Sequence, residues 1–122
     1  MAKTIMITDD SASMRQLVSI SLRGAGYDVI EACDGVDALD RLKGQKVNLV
    51  ISDVNMPRMG GFDFVAALKQ RQEYRFTPVI MLTTESEDAK KQAGKAAGAK
   101  AWIVKPFKPD QLLAAVASLV QP

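Results

Sequence analysis

Apolar runs punctuate this chain, and four of them break off abruptly at a polar group. Thr4-Ile5-Met6-Ile7-Thr8 runs into Asp9-Asp10, Leu49-Val50-Ile51-Ser52 into Asp53, Val79-Ile80-Met81-Leu82 into Thr83-Thr84, and Ala101-Trp102-Ile103-Val104 into Lys105-Pro106. Short continuous apolar runs bounded by turn signals read as buried strands. A weaker and more polar run, Asp28 to Ala32, reads as a strand at a sheet edge. The third strand is expected over Asn48 to Ser52, and Pro78 opens the fourth.

Between these runs the apolar spacing changes to three and four residues, the period of an amphipathic helix. Met14, Leu17, Val18, Leu22 and Ala25 mark a first helix over 12–25, with Ser11 as its cap and Gly26 at its end. Asp34 caps a short second helix carrying Val36, Leu39 and Leu42, which Gly44 closes. Phe64, Val65 and Leu68 share a third face extending to about Arg71. Residues 87–97 read as a helix whose only apolar positions are alanines and which contains Gly94, so it is expected to be the least firmly held. Pro109 starts a last helix that docks through Leu112, Leu113, Val116, Leu119 and Val120.

Five strands with room for a helix in every gap are the spacing of repeated βαβ units. Three central strands without polar alternation imply helices on both faces of a parallel sheet. The fold predicted is α/β, a three-layer doubly wound domain around a five-stranded parallel sheet.

Composition narrows the function. The chain has 122 residues, 48% of them hydrophobic, which suits one core, and a single domain is expected over residues 1–122. The net charge of +2 falls entirely in residues 84–122, since the first 83 hold ten residues of each sign. So mild a bias is not that of a nucleic-acid binder. Cys33 is the single cysteine and reads as a small half-buried residue in a reducing compartment. No leader and no membrane span are evident, so a cytoplasmic protein is expected. The absence of His removes any phosphohistidine, His ligand or Ser-His-Asp triad from this chain.

In a doubly wound sheet, ligands bind beyond the carboxyl ends of the strands, where the strand order reverses. Strand one ends there in Asp9 and Asp10, strand three in Asp53, strand four in Thr83 and strand five in Lys105, while strand two ends in no comparable group. Each alone has an ordinary explanation as a cap, a turn residue or a solvated strand end. Their joint arrival at four strand ends points to one site. Clustered carboxylates repel one another unless one is protonated or a cation sits among them. With only oxygen donors available the natural cation is a hard divalent one, and Mg²⁺ fits a small site that keeps several waters. A carboxylate beside Mg²⁺ and an ammonium can attack phosphorus, because both cations neutralise the transferring oxygens. Phosphoryl transfer onto Asp53 is the chemistry this arrangement suits.

These residues resemble a known family. The Asp9-Asp10 pair, Asp53 with Asn55-Met56-Pro57, Thr83 and Lys105-Pro106-Phe107 are similar, in order and along the whole chain, to the receiver domains of two-component response regulators. Asp34-Gly35-Val36-Asp37-Ala38-Leu39 and the length resemble the single-domain chemotaxis regulators within it. The resemblance implies strand order 2-1-3-4-5, as in flavodoxin-like folds, and a phosphoryl group passed from a sensor histidine kinase to Asp53. It implies Mg²⁺ bound by Asp10, Asp53 and the Asn55 backbone carbonyl, with Asp9 acting through water. Thr83 would bond the new phosphoryl oxygen, Lys105 would pair with it, and Trp102 would be the aromatic switch. Asn55 and Glu85 would control dephosphorylation, and the Lys105-Pro106 bond would be cis. Gly60 departs from the family's usual Asp, which is expected to alter only the loop, and Trp102 departs from Tyr or Phe.

Output is expected through protein contact by a monomer, with Lys90, Lys91 and Lys95 beside Trp102 forming a face for an acidic partner such as a flagellar motor component. A phosphorelay shuttle is the alternative. A Mg²⁺-dependent phosphatase of the haloacid dehalogenase type would want Asp where Asn55 stands, and the crowded carboxylates would repel a flavin phosphate.

Overall fold

The computed structural model describes residues 2–83 and 98–121. Five parallel strands, β1 (Thr4–Thr8), β2 (Asp28–Ala32), β3 (Leu49–Asp53), β4 (Val79–Thr83) and β5 (Ala101–Val104), form one sheet in the order β2-β1-β3-β4-β5. Four described helices accompany it: α1 (Ala12–Gly24), α2 (Gly35–Leu42), α3 (Gly61–Gln70) and α4 (Pro109–Leu119). The helix expected over residues 87–97 lies outside the described residues. None of the described helices is long and apolar enough to cross a membrane.

Two cores, one on each face of the sheet, follow from the period-two alternation of the strands. Ile5, Ile7, Leu49, Ile51, Ile80, Leu82 and Ile103 point to one side, where Val18 and Leu22 of α1 and Leu112 and Val116 of α4 meet them. Met6, Val50, Val79 and Met81 point to the other, against Ala38 and Leu42 of α2 and Phe64, Val65 and Leu68 of α3. Every residue of β3 and β4 is buried, whereas β2 is mostly half-exposed, as its edge position requires. Two tyrosines close the seams. The Tyr27 hydroxyl donates to the Val120 carbonyl at 2.7 Å, and that of Tyr74 lies within hydrogen-bond reach of the Leu42 and Gln45 carbonyls.

Local chemistry sets the element ends. Ser11 accepts from the Met14 N–H and Asp34 from that of Asp37, as the sequence suggests for both caps. Gly26 (φ 98°) and Gly44 (φ 76°) take the left-handed turns that end α1 and α2. Three expectations need correction. Strand β3 begins at Leu49 and includes Asp53, because the Asn48 side chain is turned to accept from the Thr4 N–H at 2.9 Å and so works as a bracket to β1. Cys33 is exposed instead of half-buried, since it stands past the end of edge strand β2. A 3₁₀ turn over Gln72–Tyr74, not expected from the periodicity, carries the chain from α3 toward β4.

Gly61 is the tightest point beneath the site. A Cβ there would lie 2.2 Å from the Asp53 carbonyl oxygen and 2.8 Å from Met81 Cε. Backbone has no room to yield, so Gly61→Ala is expected to destabilise the protein by about 3 kcal/mol. A lowered denaturant midpoint with an unchanged m-value would bear this out; an unchanged midpoint would show that the strand end yields.

Candidate functional site: an acidic pocket at the β1/β3 edge

Register builds the site. Strands β1 and β3 are neighbours and pair Thr8 with Ser52, so the next residue of each, Asp9 and Asp53, stand side by side at the carboxyl edge. Chain order reverses here, with β2 on one side of β1 and β3 on the other. Carboxylate oxygens of Asp9, Asp10 and Asp53 all lie within 4.8 Å of one another. Asp9 is fully buried, Asp53 nearly so and Asp10 exposed, which grades the cluster from floor to mouth.

Lys105, one residue past β5, reaches across the end of β4 to join them. Its Nζ lies 3.1 Å from Asp9 Oδ2 and 3.4 Å from Asp53 Oδ2. Its backbone N–H donates to the Thr83 carbonyl at 2.6 Å, and the Lys105-Pro106 peptide is cis, as the resemblance implies. Asp9 already uses both oxygens, since Oδ1 accepts from the Ser11 N–H at 2.9 Å and Oδ2 faces Lys105. Asp53 Oδ1 accepts from the Val54 N–H at 2.9 Å. Burial, followed by the charge of Asp9, holds the Asp53 carboxyl above its usual range, only partly offset by Lys105 and the Val54 N–H.

Among the described residues, one ammonium stands against three carboxylates, an excess of negative charge. All donors are oxygens, and the carboxylate of the exposed member has no partner among the described residues, so the chemistry of the set fits a hard divalent cation. Thr83, buried at the end of β4, stands on the same edge. Asn55 is exposed in the loop that follows Asp53. Trp102 of β5 is half-buried and stacks on Phe62 of α3, ring centroids 6.0 Å apart at 27°; its Nε1 is buried without a hydrogen-bond partner among the described residues. Glu85, Lys90, Lys91 and Lys95 fall outside the described residues.

Two features escaped the sequence reading. Strand two does deliver a carboxylate near this edge, for Asp34 is buried just past β2 and receives the Arg58 guanidinium on both oxygens at 2.8 and 3.2 Å. The Asp-Gly signature drew attention only to its capping role. Gly60 affects more than the loop, because as N-cap of α3 it leaves that helix without a side-chain cap.

The fold is doubly wound, with an acidic, lysine-bridged pocket at its switch point. Residues 5–117 match the family model of the response regulator receiver domain, and the chain belongs to that family. It is 47% identical to the chemotaxis response regulator CheY4 of Vibrio cholerae, whose structure superposes with a TM-score of 0.95 over 98% of this chain and 100% of that one. It is 39% identical to the chemotaxis protein CheY homolog of Campylobacter jejuni over 88% of this chain and 85% of that protein. Similarity to protein PilG of Pseudomonas aeruginosa is 35% over 92% of this chain and 83% of the relative. The chain spans about half the length of other relatives, such as the probable transcriptional regulator ycf27 of Porphyridium aerugineum, matched over 48% of its length.

Because folded Asp53 keeps its proton to a higher pH than the unfolded chain does, its contribution to stability is greatest below the ordinary carboxylate range. That contribution is lost as pH rises through the raised value. In EDTA at neutral pH, Asp53→Asn is therefore expected to melt above the wild type, with the gap closing as pH falls through the titration of Asp53. A variant that melts lower at neutral pH would contradict this.

Proposed function

We propose that the chain is a phosphorylation-activated response regulator that takes a phosphoryl group on Asp53 from the phosphohistidine of a sensor kinase, with Mg²⁺ in the acidic pocket. One observation carries the reading: three carboxylates gather within 4.8 Å, with Lys105 bridging the two buried ones. Asp10 and Asp53, together with the Asn55 carbonyl, would hold the ion directly. Asp9, whose oxygens are already engaged by Ser11 and Lys105, would act through water. The ion would supply charge neutralisation at the transferring oxygens and alignment of the donor.

The residues of the chain then divide the work. An Asp53 carboxylate oxygen attacks phosphorus, forming an acyl phosphate while the donor nitrogen leaves with the electron pair of the broken bond. Lys105, nearly buried against Asp9 and Asp53, neutralises the phosphoryl oxygens. The Thr83 hydroxyl bonds one of them, and Trp102 responds from the neighbouring strand. Asn55 and Glu85 orient the water that later hydrolyses the acyl phosphate. Acyl phosphate forms and breaks on the chain's own carboxylate, so the chain is a switch and not a turnover enzyme.

Output goes through protein contact. The chemotaxis relatives support a motor switch or a comparable effector as the partner, docking at Trp102 and at Lys90, Lys91 and Lys95, the lysines expected beside it from the sequence.

Acetyl phosphate with Mg²⁺ is expected to add one phosphoryl group to the intact protein and to change the fluorescence of Trp102, the single tryptophan. Asp53→Asn should abolish both responses, and Lys105→Ala should slow the mass gain and remove most of the fluorescence response. An equal mass gain in Asp53→Asn would sink the assignment of the acceptor.

A further inference from the structure

Arg58 occupies an unusual backbone position for a residue with a side chain. Its φ is 60°, and the Met59 N–H closes back on the Pro57 carbonyl at 2.6 Å, so Arg58 is the centre of a tight three-residue turn. Such a turn with positive φ is rare and strained, and glycine would relieve it. Strain kept in a loop beside a functional site is a reason to look for what the side chain does there.

What the side chain does is visible. Its Nε donates to Asp34 Oδ2 at 2.8 Å and its Nη2 to Asp34 Oδ1 at 3.2 Å, a two-pronged pair on a buried carboxylate that also caps α2. Arg58 holds the Asp34 carboxyl below its usual range. Next to this pair the Gly35 N–H donates to the Met59 carbonyl at 3.1 Å. The Met59 side chain lies so close over Gly35 that a Cβ there would meet Met59 Cγ at 2.6 Å.

The segment between β3 and α3 is thus pinned twice. At its base the Val54 N–H donates to the Leu82 carbonyl at 3.1 Å and the Gly61 N–H to the Val54 carbonyl at 2.8 Å. At its tip it is fastened to the start of α2 through Arg58 and Met59. Asn55 stands between the two attachments, in the stretch that follows Asp53.

We propose that Arg58 and Asp34 are positioning residues for the metal site: their clasp fixes the loop that presents the Asn55 carbonyl, and so sets affinity and selectivity for Mg²⁺. This rests on the reading of the acidic pocket as a Mg²⁺ site. Mg²⁺ demands near-ideal octahedral geometry, whereas Ca²⁺ accepts flexible coordination, so loosening one oxygen donor penalises Mg²⁺ more than Ca²⁺. Electrostatics alone predicts the opposite sign for the arginine. Removing a positive charge near a divalent cation strengthens its binding, while loss of a positioning contact weakens it.

The test is titration of the metal-free protein with Mg²⁺ and separately with Ca²⁺, by calorimetry and by Trp102 fluorescence, for the wild type, Arg58→Gly, Arg58→Lys and Asp34→Asn. Arg58→Gly removes clasp and strain together, and Asp34→Asn keeps a capping side chain on α2; thermal melts in EDTA confirm that both are folded. In Arg58→Gly the Kd for Mg²⁺ is expected to rise about tenfold, the size seen when groups that orient metal ligands are lost. The Kd for Ca²⁺ should change by less, Asp34→Asn should lose Mg²⁺ over Ca²⁺ selectivity in the same way, and Arg58→Lys should be intermediate. Unchanged or tighter Mg²⁺ binding in Arg58→Gly, or equal weakening for both ions, would overturn the clasp alone. A wild type that binds no Mg²⁺ would instead overturn the metal-site reading on which it rests.

Discussion

The parallel pairing of β1 with β3 is the constraint on which the rest depends. Because Thr8 and Ser52 are partners in the register, the residues after them are forced level, and both are aspartates. Two adjacent carboxylates at a buried sheet edge oppose folding, and their repulsion is one cause of the raised Asp53 carboxyl. The sheet tolerates this because β3 and β4 are buried along their whole length and both faces are packed against helices. The site is therefore a local electrostatic defect held in place by a hydrophobic scaffold. A domain of this design gives up some stability to keep two carboxylates side by side at a buried edge.

Around that edge the loops are held by ion pairs on their outer sides. Arg15 of α1 donates to the Asp9 carbonyl at 2.8 Å and faces Glu31 of β2 at 3.6 Å, which steadies the loop carrying Asp9 and Asp10. Arg58 and Asp34 fasten the opposite loop to α2. Lys105 closes the third side from β5. Basic side chains thus surround the acidic pocket, and among the described residues only Lys105 pairs with the carboxylates of the cluster. Farther back along β5, the Trp102 indole rests on Phe62 with its N–H unsatisfied among the described residues. A buried donor without a partner is costly.

Much of this was legible in the sequence, for identifiable reasons. Strand and helix identities follow from residue periodicity, and the abrupt stop of four apolar runs at Asp9, Asp53, Thr83 and Lys105 marks the functional edge without any structure. Caps at Ser11 and Asp34 and the helix ends at Gly26 and Gly44 are local chemistry and were equally readable. Strand order is a different matter. Nothing in the spacing of five strands says which are neighbours, and order 2-1-3-4-5 was available beforehand only through resemblance to a family.

Tertiary structure decided what depends on partners distant along the chain. Asp34 read as a helix cap, which it is, but its second role needs Arg58, 24 residues away, brought over it by a strained turn that no periodicity announces. Asn48 read as the start of a strand until its side chain was seen bracketing Thr4. Cys33 read as half-buried from its residue type alone, and exposure past the end of an edge strand overruled that. The sequence by itself determined which carboxylates and which ammonium would reach one edge, because a parallel sheet sends every strand end to the same side. Only the tertiary structure decided which of them are buried, which already share Lys105 and which loop is clasped, because burial and charge pairing are properties of the packed neighbours and not of the residue.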